Sequence, residues 1–334
     1  MKHKTQPNQK NLLDWYNENK RDLPWRNTSD PYRIWISEVM LQQTTVKAVI
    51  PYYEKFLKNF PTVKSLSQAS IKEVYTYWAG LGYYSRADNL HKAAKQLSET
   101  GFPKTHIELM AYPGFGPYTA RAVASFAFSD NTGVLDGNVI RFLSRFHGLA
   151  VPWWENSSRA ILQREADQWV LDFDSSEMNQ ALIEIGATIC TPRSPSCLLC
   201  PVRNGCTAYA QNLQEKLPLK KDRKKLEVWI WEPDIYIQNG KIGFTKNNYA
   251  SFLKGKMIFP GRVKKSKTAP KIYNYKHNIT HHEIYVKLNI KTSKNKDKLL
   301  VLKDTSGDQM KWISKNQIIK INPASLIQKA LKYI

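Results

Sequence analysis

The sequence has 334 residues, 42% of them hydrophobic, and this length and composition favour two globular domains over one. Lys and Arg total 50 against 28 Asp and Glu, and the formal net charge of +22 argues for a polyanionic partner, nucleic acid before an anionic membrane surface. No apolar run approaches the roughly 20 residues that span a bilayer, and no signal-peptide pattern begins the chain, so we expect a cytoplasmic protein, associated with the nucleoid in a bacterium, and no membrane partner.

Residues 11–210 carry a helical pattern. Segments such as 71–81, 86–99 and 158–173 repeat apolar residues at spacings of three and four, the periodicity of one face of a helix. Short breaks that contain Pro, Gly or Asn separate the segments. The first two thirds of the chain are therefore predicted to be mostly helical.

A single acidic residue, Glu38, lies in the otherwise apolar segment WISEVMLQQT, residues 35–44. A glutamate in such a helix either occupies a polar face or is buried for a chemical purpose. The segment alone leaves both interpretations open.

The segment YPGFGPYTA, residues 112–120, has helical patterns on both sides. Gly114 and Gly116 permit a tight turn, and Pro117 suits the first turn of the following helix. Backbone N–H groups at such a helix start can bind a phosphate. An ordinary turn between helices has the same glycines, but in so basic a chain we favour a helix–hairpin–helix that binds the DNA backbone.

A second carboxylate, Asp136, lies in VLDGNVIRFLSR, residues 134–145. Asp is a good helix N-cap, and a helical pattern follows it. The local sequence is equally compatible with a cap and with a functional carboxylate, and the two roles can coexist in one side chain.

Four cysteines fall within 17 positions, at the spacing Cys-x6-Cys-x2-Cys-x5-Cys, which indicates a metal site rather than a disulfide framework. Zinc fingers usually carry two close pairs of ligands, whereas this run has one close pair and two wider gaps. The spacing favours a 4Fe–4S cluster and leaves zinc as the alternative. The ligands would be Cys190, Cys197, Cys200 and Cys206.

The periodicity changes after Leu226. The segment 216–226 is dense in charge, as expected of a linker, and 227–245 and 281–292 alternate apolar and polar residues as strands do. Asn239-Gly240 predicts a hairpin, and residues 323–334 predict a closing helix. The last 108 residues carry a net charge of +14, so the predicted α+β domain is the more basic part of the chain.

Taken together, residues 35–44, the hairpin with LDGNV, and the cysteine run resemble the helix–hairpin–helix DNA glycosylase superfamily, and within it the adenine DNA glycosylase (MutY) family. LPWR at 23–26, GLGYYSRA at 80–87 and NQALIEIGATIC at 179–190 are similar to the same family. The resemblance covers nearly all of residues 11–210. It implies four parts: a six-helix barrel with the helix–hairpin–helix at 23–132, an iron–sulfur lobe from 1–22 and 133–210, an interdomain linker at 211–226, and a Nudix-like lesion-recognition domain at 227–334.

The resemblance also implies roles for individual residues. Glu38 matches the acid that protonates adenine, and Asp136 matches the carboxylate that stabilises the positively charged sugar. Tyr118 and Asn138 match residues that assist this pair. The positions matching residues that contact the flipped adenine, the duplex or the lesion are Arg26, Gln180, Gln43, Thr44, Leu81 and Tyr83. The implied substrate is double-stranded DNA that contains adenine opposite 8-oxoguanine or guanine, bound by a monomer.

Two departures refine this expectation. Relatives that resemble endonuclease III and also cut the strand have a Lys where this chain has Tyr118, so we expect a monofunctional glycosylase without a Schiff-base nucleophile. Ile279-Thr280-His281 stands where the family usually has Phe-Ser-His; Thr280 and His281 keep a hydroxyl and an imidazole for the lesion, but Ile279 removes an aromatic ring. No Glu-rich metal motif follows Gly261, so we expect no pyrophosphatase activity.

Two alternatives remain at this point. One is a related glycosylase for another base, such as mismatched thymine or an oxidised pyrimidine; Tyr118 and the added domain argue against a pyrimidine lyase. The other is a non-catalytic, cluster-bearing DNA-binding protein. The presence of both carboxylates at their motif positions argues against it.

Overall fold

A computed structural model describes residues 6–222, 225–279, 281–292, 310–322 and 324–334. The chain forms two compact units, one of residues 1–68 and 85–222 and the other of residues 69–84 and 223–334. The first is helical and the second combines a mixed sheet with short helices, which confirms the predicted fold class of an α region followed by an α+β domain. Within the described ranges, no helix has the length and apolar character needed to cross a membrane.

Among the described residues, twelve helices precede the sheet. In chain order they are α1 (Gln6–Asn19), α2 (Pro31–Leu41), α3 (Val46–Asn59), α4 (Val63–Gln68), α5 (Ile71–Trp78), α6 (Tyr84–Thr100), α7 (His106–Leu109), α8 (Pro117–Phe128), α9 (Gly137–Phe146), α10 (Asn156–Val170), α11 (Ser175–Thr188) and α12 (Thr207–Ala210). Short 3₁₀ turns at Cys197–Leu199 and Arg203–Gly205 lie between α11 and α12. The predicted helical region is thus confirmed.

Local sequence signals explain where the helices of the site begin. Asp30 precedes α2 and accepts a hydrogen bond from the Tyr32 N–H, while Pro31 fills the first helical position, where no N–H is needed. Helix α8 also begins with a proline in its first helical position, Pro117, and Gly116 is its N-cap. These signals fix the ends of α2 and α8, and so the positions of the side chains that they carry.

One hydrophobic core of the first unit joins α1 to α9, α10 and α11. Trp169 of α10 is fully buried, and its ring meets those of Phe142 and Phe146 edge-on at centroid distances of 5.3 and 5.1 Å. The Gln9 side chain of α1 donates to the Trp169 carbonyl at 2.8 Å. The N-terminal helix α1 therefore contacts a residue 160 positions away in sequence.

In its described ranges, the second unit is built on a mixed sheet of eight strands. Its strands are β1 (Glu227–Gln238), β2 (Lys241–Lys246), β3 (Met257–Ile258), β4 (Gly261–Ser266), β5 (Tyr275–Ile279), β6 (His282–Val286), β7 (Asn289–Thr292) and β8 (Lys311–Ser314). The central strand β1 pairs antiparallel with β2 and β4 and parallel with β6 and β7. The predicted hairpin is confirmed, because Asn239 and Gly240 both have positive φ, at 50° and 70°, and join β1 to β2.

Helices complete the second unit. These are α13 (Ile318–Ile321) and α14 (Ser325–Ala330), and α14 confirms the predicted closing helix. Trp231, Phe244 and Phe259 are fully buried in the core between sheet and helices. The earlier helix α5 also belongs here: it packs on α13, and Lys256 lies 4.8 Å above the Tyr75 ring. The sequence includes α5 in the predicted barrel of residues 23–132, whereas its contacts group it with the sheet.

Candidate active site

Glu38 lies in the middle of α2 and is almost completely buried, with 5% of its surface exposed. The residues around it on this apolar helix are also buried, including Ile34, Trp35 and Val39. Of the two interpretations that the sequence left open, a polar surface position is therefore excluded. Burial disfavours the charged form of the carboxyl group and is the main reason that the pKa of Glu38 is raised to about 7.

The Tyr118 hydroxyl donates a hydrogen bond of 2.7 Å to Glu38 Oε2. This bond lowers the pKa of Glu38 and opposes the larger effect of burial. Burial and the nearby carboxylates raise the pKa of Tyr118 well above its usual range, so the phenol stays protonated and acts as a donor. Near pH 7, Glu38 therefore populates both its neutral and its charged form.

Asp136 is the N-cap of α9, so the capping interpretation is confirmed. Its Oδ1 accepts from the backbone N–H groups of Asn138 and Val139 at 2.8 and 2.7 Å. Its Oδ2 accepts from the Asn138 side-chain amide at 2.8 Å. Burial raises the pKa of Asp136, while these hydrogen bonds lower it. A carboxylate held by three donors has a fixed position, which suits an electrostatic role as well as a cap.

The segment before Asp136 is anchored on both sides. The Asn179 side chain, fully buried in α11, accepts from the Val134 N–H at 2.8 Å and donates to the Thr132 carbonyl at 2.8 Å. Asp167 of α10 accepts from the Gly133 N–H at 2.8 Å. A Cβ on Gly133 would lie 2.3 Å from the Ala166 carbonyl carbon, so only glycine allows this close approach. The backbone that carries Asp136 is thereby rigidly placed.

Asn138 and Arg141 continue the network behind Asp136. The Arg141 guanidinium donates to Asn138 Oδ1 at 2.8 Å, to the Gly186 carbonyl at 2.6 Å and to the Cys190 carbonyl at 2.6 Å. Because Asn138 uses its oxygen toward Arg141, its amide nitrogen is directed at Asp136. Asp136 is therefore joined through two side chains to the first residue of the cysteine run.

Glu38, Tyr118, Asp136 and Asn138 all line one cavity of about 530 Å³. The space is large enough for a nucleobase with its sugar. Four further predicted residues line the same cavity, namely Arg26, Gln43, Thr44 and Gln180. Its apolar wall includes Leu23, Trp25, Ile34 and Ile183. The structure thus brings together eight predicted site residues from five separate segments of the sequence.

The sequence prediction did not include Glu184, a fully buried carboxylate beside this cavity. It accepts from Arg21 at 2.7 Å and from Arg26 at 2.6 Å. Burial alone would raise the pKa of Glu184, but the two arginines lower it to about 2. The signal was present in the sequence: like Glu38, Glu184 is a single acid in an apolar helical segment. It fixes the Arg26 guanidinium at the cavity wall.

Gln180 is also positioned by a partner. Its side-chain oxygen accepts from the Tyr16 hydroxyl at 3.0 Å, and its amide donates to Ser176 at 3.2 Å. Arg26 lies 5.5 Å above the Tyr16 ring. Tyr16 of the N-terminal helix therefore supports two of the predicted base-contacting residues.

The hairpin before α8 has the geometry that its glycines predict. Gly114 has a φ of 84°, and a Cβ there would lie 2.9 Å from the Asn89 Cβ, so glycine is needed for both conformation and space. Gly116 is the N-cap of α8, where no side chain occupies the N-terminus of the helix. This arrangement leaves the first N–H groups of α8 available to an anion.

The remaining predicted residues belong to the second unit. Leu81 is buried, while Tyr83 is 45% exposed and has a φ of 46°, a conformation uncommon for a residue other than glycine. His281 lies at the turn that leads into β6. Thr280 is outside the described residues.

The four cysteines lie on a loop against α9. None forms a disulfide, and all four line one small cavity together with Phe142, Phe146 and Val202. The buried Arg145 directs its guanidinium to Cys190 Sγ at 3.3 Å and to the Thr191 carbonyl at 2.7 Å. A pocket lined by four thiols and one buried cation is suited to an anionic metal–thiolate centre.

Comparisons with known proteins agree with this geometry. Residues 36–167 match the family described as HhH-GPD superfamily base excision DNA repair protein. The adenine DNA glycosylase of Buchnera aphidicola subsp. Schizaphis graminum (strain Sg) is 37% identical over 273 residues, 80% of this chain and 78% of that protein. The adenine DNA glycosylase of Homo sapiens is 43% identical over 221 residues, 62% of this chain and 40% of that protein.

Solved structures share the fold. A thermostable thymine-DNA glycosylase aligns with a TM-score of 0.57 and 28% identity over 62% of this chain and 96% of its own. Endonuclease III in a non-covalent complex with DNA aligns with a TM-score of 0.52 and 20% identity over 64% of this chain and all of its own. The identity and coverage of the Buchnera relative show that the chain belongs to the adenine DNA glycosylase family, whose members are base excision repair enzymes that hydrolyse N-glycosyl bonds.

Proposed function

We propose that the protein is a monofunctional glycosylase that removes adenine paired with 8-oxoguanine, and with guanine, from double-stranded DNA. One observation carries the proposal: Glu38, with a pKa raised to about 7, shares a cavity with the fixed carboxyl group of Asp136. The first group can donate a proton near neutral pH and the second can face a developing positive charge. Hydrolysis of a purine N-glycosidic bond requires both.

The chemistry assigns a role to each group. Adenine leaves poorly as an anion, so protonation of its ring nitrogen N7 by Glu38 assists departure, and a positioned acid typically contributes about 10²–10⁴-fold. As the bond breaks, the sugar becomes an oxocarbenium ion, which Asp136 stabilises electrostatically. The Glu38 carboxylate then accepts a proton from the attacking water. Tyr118 holds Glu38 in place, and Asn138 holds Asp136.

The base must leave the helix to reach these groups. Flipping costs a few kcal/mol, which intercalating side chains and contacts in the pocket offset. We assign base contacts to Arg26 and Gln180, which are both fixed by buried partners. Gln43 and Thr44, with Leu81 and Tyr83, are assigned to the opened duplex. Gly114 and Gly116 would bind the phosphate backbone through the start of α8, and the charge of +22 favours DNA throughout.

Two features support base removal without strand cutting. Strand cleavage by this superfamily requires an amine that forms a Schiff base with the sugar. The hairpin position that would supply it is Tyr118, whose hydroxyl is committed to Glu38. Among the described residues that line the cavity, none is a lysine. An abasic site is therefore the expected product.

We assign a 4Fe–4S cluster to Cys190, Cys197, Cys200 and Cys206. The four thiols line one cavity with the buried Arg145, and the run has one close pair and two wider gaps, which supports a cluster over a single zinc ion. Arg145 would balance its negative charge. When bound, the cluster would cross-link residues 190–206 and support α9, whose N-cap is Asp136.

The second unit is assigned to lesion reading, as a Nudix-like domain that binds without hydrolysing. Its candidate contacts are Thr280 and His281, with Ile279 in place of an aromatic residue. Its surplus of basic residues favours a position on DNA.

A panel of duplexes tests the proposal. The protein is incubated with duplexes that contain A:8-oxoguanine, A:G, G:T or an oxidised pyrimidine, and each product is analysed with and without hot alkali. We expect cleavage of the adenine strand of the first two, only after alkali. Cleavage confined to G:T or pyrimidine lesions would refute the adenine assignment, and absence of cleavage everywhere would favour a DNA-binding protein. An efficient borohydride-trapped adduct would refute the monofunctional assignment.

A further inference from the structure

One cluster of side chains in the second unit has no part in the chemistry described so far. Glu227 is the first residue of β1 and His282 the first residue of β6, and the two are partners in the parallel pairing of these strands. The Glu227 N–H also donates to the His281 carbonyl at 2.9 Å. The backbone register thus holds a carboxylate and two imidazoles at the same end of the two strands.

The three side chains converge. One ligand atom from each of Glu227, His281 and His282 lies within 4.8 Å of those of the other two. Adjacent residues of a strand point to opposite faces, but His281 lies in a turn, and its ring centroid is 4.1 Å from that of His282. His282 Nε2 is 3.5 Å from Glu227 Oε2. All three residues are partly exposed, so an ion could reach them from solvent.

Neighbouring residues orient the carboxylate. Lys265 of β4 donates to Glu227 Oε1 at 2.6 Å, and the Trp229 indole N–H donates to Oε2 at 3.1 Å. Because Lys265 binds Oε1, Oε2 is the oxygen that faces His282. A carboxylate that binds a metal is usually itself held by hydrogen bonds from neighbouring residues, and these bonds orient it.

We propose that Glu227, His281 and His282 bind a divalent transition metal, with zinc as the best fit. Two imidazoles and one carboxylate are a recurring zinc ligand set, and three protein ligands leave a fourth position open for water or another ligand. Calcium and magnesium prefer all-oxygen ligands, which this cluster does not offer. Small side-chain movements would bring the ligand atoms to zinc bond lengths of about 2.0–2.2 Å.

The site has a consequence that rests on the proposed function. His281 is assigned to the lesion, and a bound ion would engage its imidazole. Metal binding and lesion reading would then compete for one side chain, so zinc would slow the removal of adenine opposite 8-oxoguanine. Zinc would act here through the second unit and not through the carboxylates of the cavity.

Equilibrium dialysis against zinc tests the site itself. The purified holoenzyme is used after thiol titration has shown that its cysteines are unavailable. We expect the wild type and His277→Ala, a histidine of β5 outside the cluster, to retain roughly one zinc ion per chain. His282→Ala and Glu227→Gln should each bind zinc roughly tenfold more weakly or worse. Equal retention by all four proteins, or no retention by the wild type, would overturn the proposal.

The rate of adenine excision with and without zinc tests the consequence. Zinc should slow the wild type and His277→Ala on the A:8-oxoguanine duplex and leave the rate of His282→Ala close to its own zinc-free rate. Equal slowing of all three would overturn the competition, whereas dialysis alone decides the site. A wild type that fails to excise adenine without zinc would instead refute the proposed function, so the two failures are distinguishable.

Discussion

The Tyr118 hydroxyl donates to Glu38 Oε2 across 2.7 Å, and the two residues are 80 positions apart on α8 and α2. This bond stabilises the carboxylate form of Glu38, while burial stabilises the neutral form more strongly. The balance sets a pKa of about 7, at which Glu38 can both donate and accept a proton within one catalytic cycle.

Tyr118→Phe should change the pH dependence of excision. In the proposed mechanism the protonated form of Glu38 is the active one, so the wild-type rate should fall as the pH rises through about 7. Without the hydrogen bond, the carboxylate loses a stabilising partner and the pKa of Glu38 rises, so this fall should move up by about one pH unit. Single-turnover excision rates from roughly pH 5 to 9 measure the shift. A fall that stays in place or moves to lower pH would contradict the assigned acid.

Glu38→Gln should lose nearly all excision and yet stabilise the fold at high pH. The pKa of Glu38 is raised from 4.5 to about 7 on folding, so its contribution to stability is complete below pH 4.5 and is lost as the pH rises through 7. By pH 8 the charged, buried carboxyl should cost the wild type about 3 kcal/mol, a cost that glutamine does not carry. Melting temperatures at pH 5 and pH 8 test this.

The matched control for that experiment is Glu54→Gln, at an exposed position of α3. Its melting temperature should follow the wild type at both pH values. If Glu38→Gln does so too, Glu38 is not the perturbed group that the structure indicates.

Asp136→Asn should separate capping from catalysis. Asparagine caps a helix about as well as aspartate, so α9 should persist. Its amide would face the Asn138 amide, and Asn138 cannot turn freely because its oxygen is bound to Arg141. We expect a loss of about 1 kcal/mol in stability and at least a 100-fold loss in the rate of excision, since the negative charge that we propose to face the sugar is gone. Near wild-type excision would remove Asp136 from the mechanism.

The candidate residues that the sequence singled out have local signals, although only the resemblance to a family assigned roles to Glu38 and Asp136. Glu38 stands out in an apolar helix, Asp136 in a capping pattern, and Asn239-Gly240 as a hairpin; each depends on neighbours within a few positions. Glu184 has the same local signal as Glu38, but its meaning depends on Arg21, 163 positions away. Without that partner in view, a single acid in a helix stays ambiguous.

Contacts between distant segments could likewise not be predicted from the sequence. α5 has an ordinary amphipathic pattern, and nothing in it indicates that Tyr75 contacts Lys256, 181 positions later. The cluster of Glu227 with His281 and His282 arises from the register of two parallel strands, which periodicity alone does not define. The candidate site residues could be proposed from motifs, whereas the partners that hold them in place became visible only in the fold.

Glu184→Gln should weaken both the fold and substrate binding. Glutamine would leave the Arg21 and Arg26 guanidinium groups without a balancing charge, at a cost of about 3 kcal/mol. Because Arg26 lines the cavity, KM should rise more than kcat falls. The pKa of Glu184 is lowered from 4.5 to about 2, so the advantage of the wild type is present above pH 4.5 and shrinks as the pH falls toward 2.

Steady-state kinetics and melting curves between pH 3 and pH 7 would measure these effects. Glu177→Gln, on the same helix but only partly buried, is the control. If the two variants behave alike, Glu184 does not position Arg26.

Gly186→Ala should displace Asn138 and so disturb the candidate active site. A Cβ on this residue would lie 2.7 Å from the Asn138 Cβ and 2.8 Å from the Asn138 carbonyl oxygen, and α11 and α9 would have to separate. Such overpacking costs about 2 kcal/mol. Because Asn138 holds Asp136, the displacement should also slow excision by roughly tenfold or more.

Gly137→Ala is the matched control, because a Cβ there meets no atom within 4 Å. Alanine is also the better helix former, so the first residue of α9 should tolerate it without loss of stability. Melting temperature and single-turnover rate are measured for both variants. If Gly186→Ala lowers stability but excises adenine at the wild-type rate, the contact between α11 and α9 supports the fold without setting the position of Asp136. A joint loss of stability and rate is the result that the geometry requires.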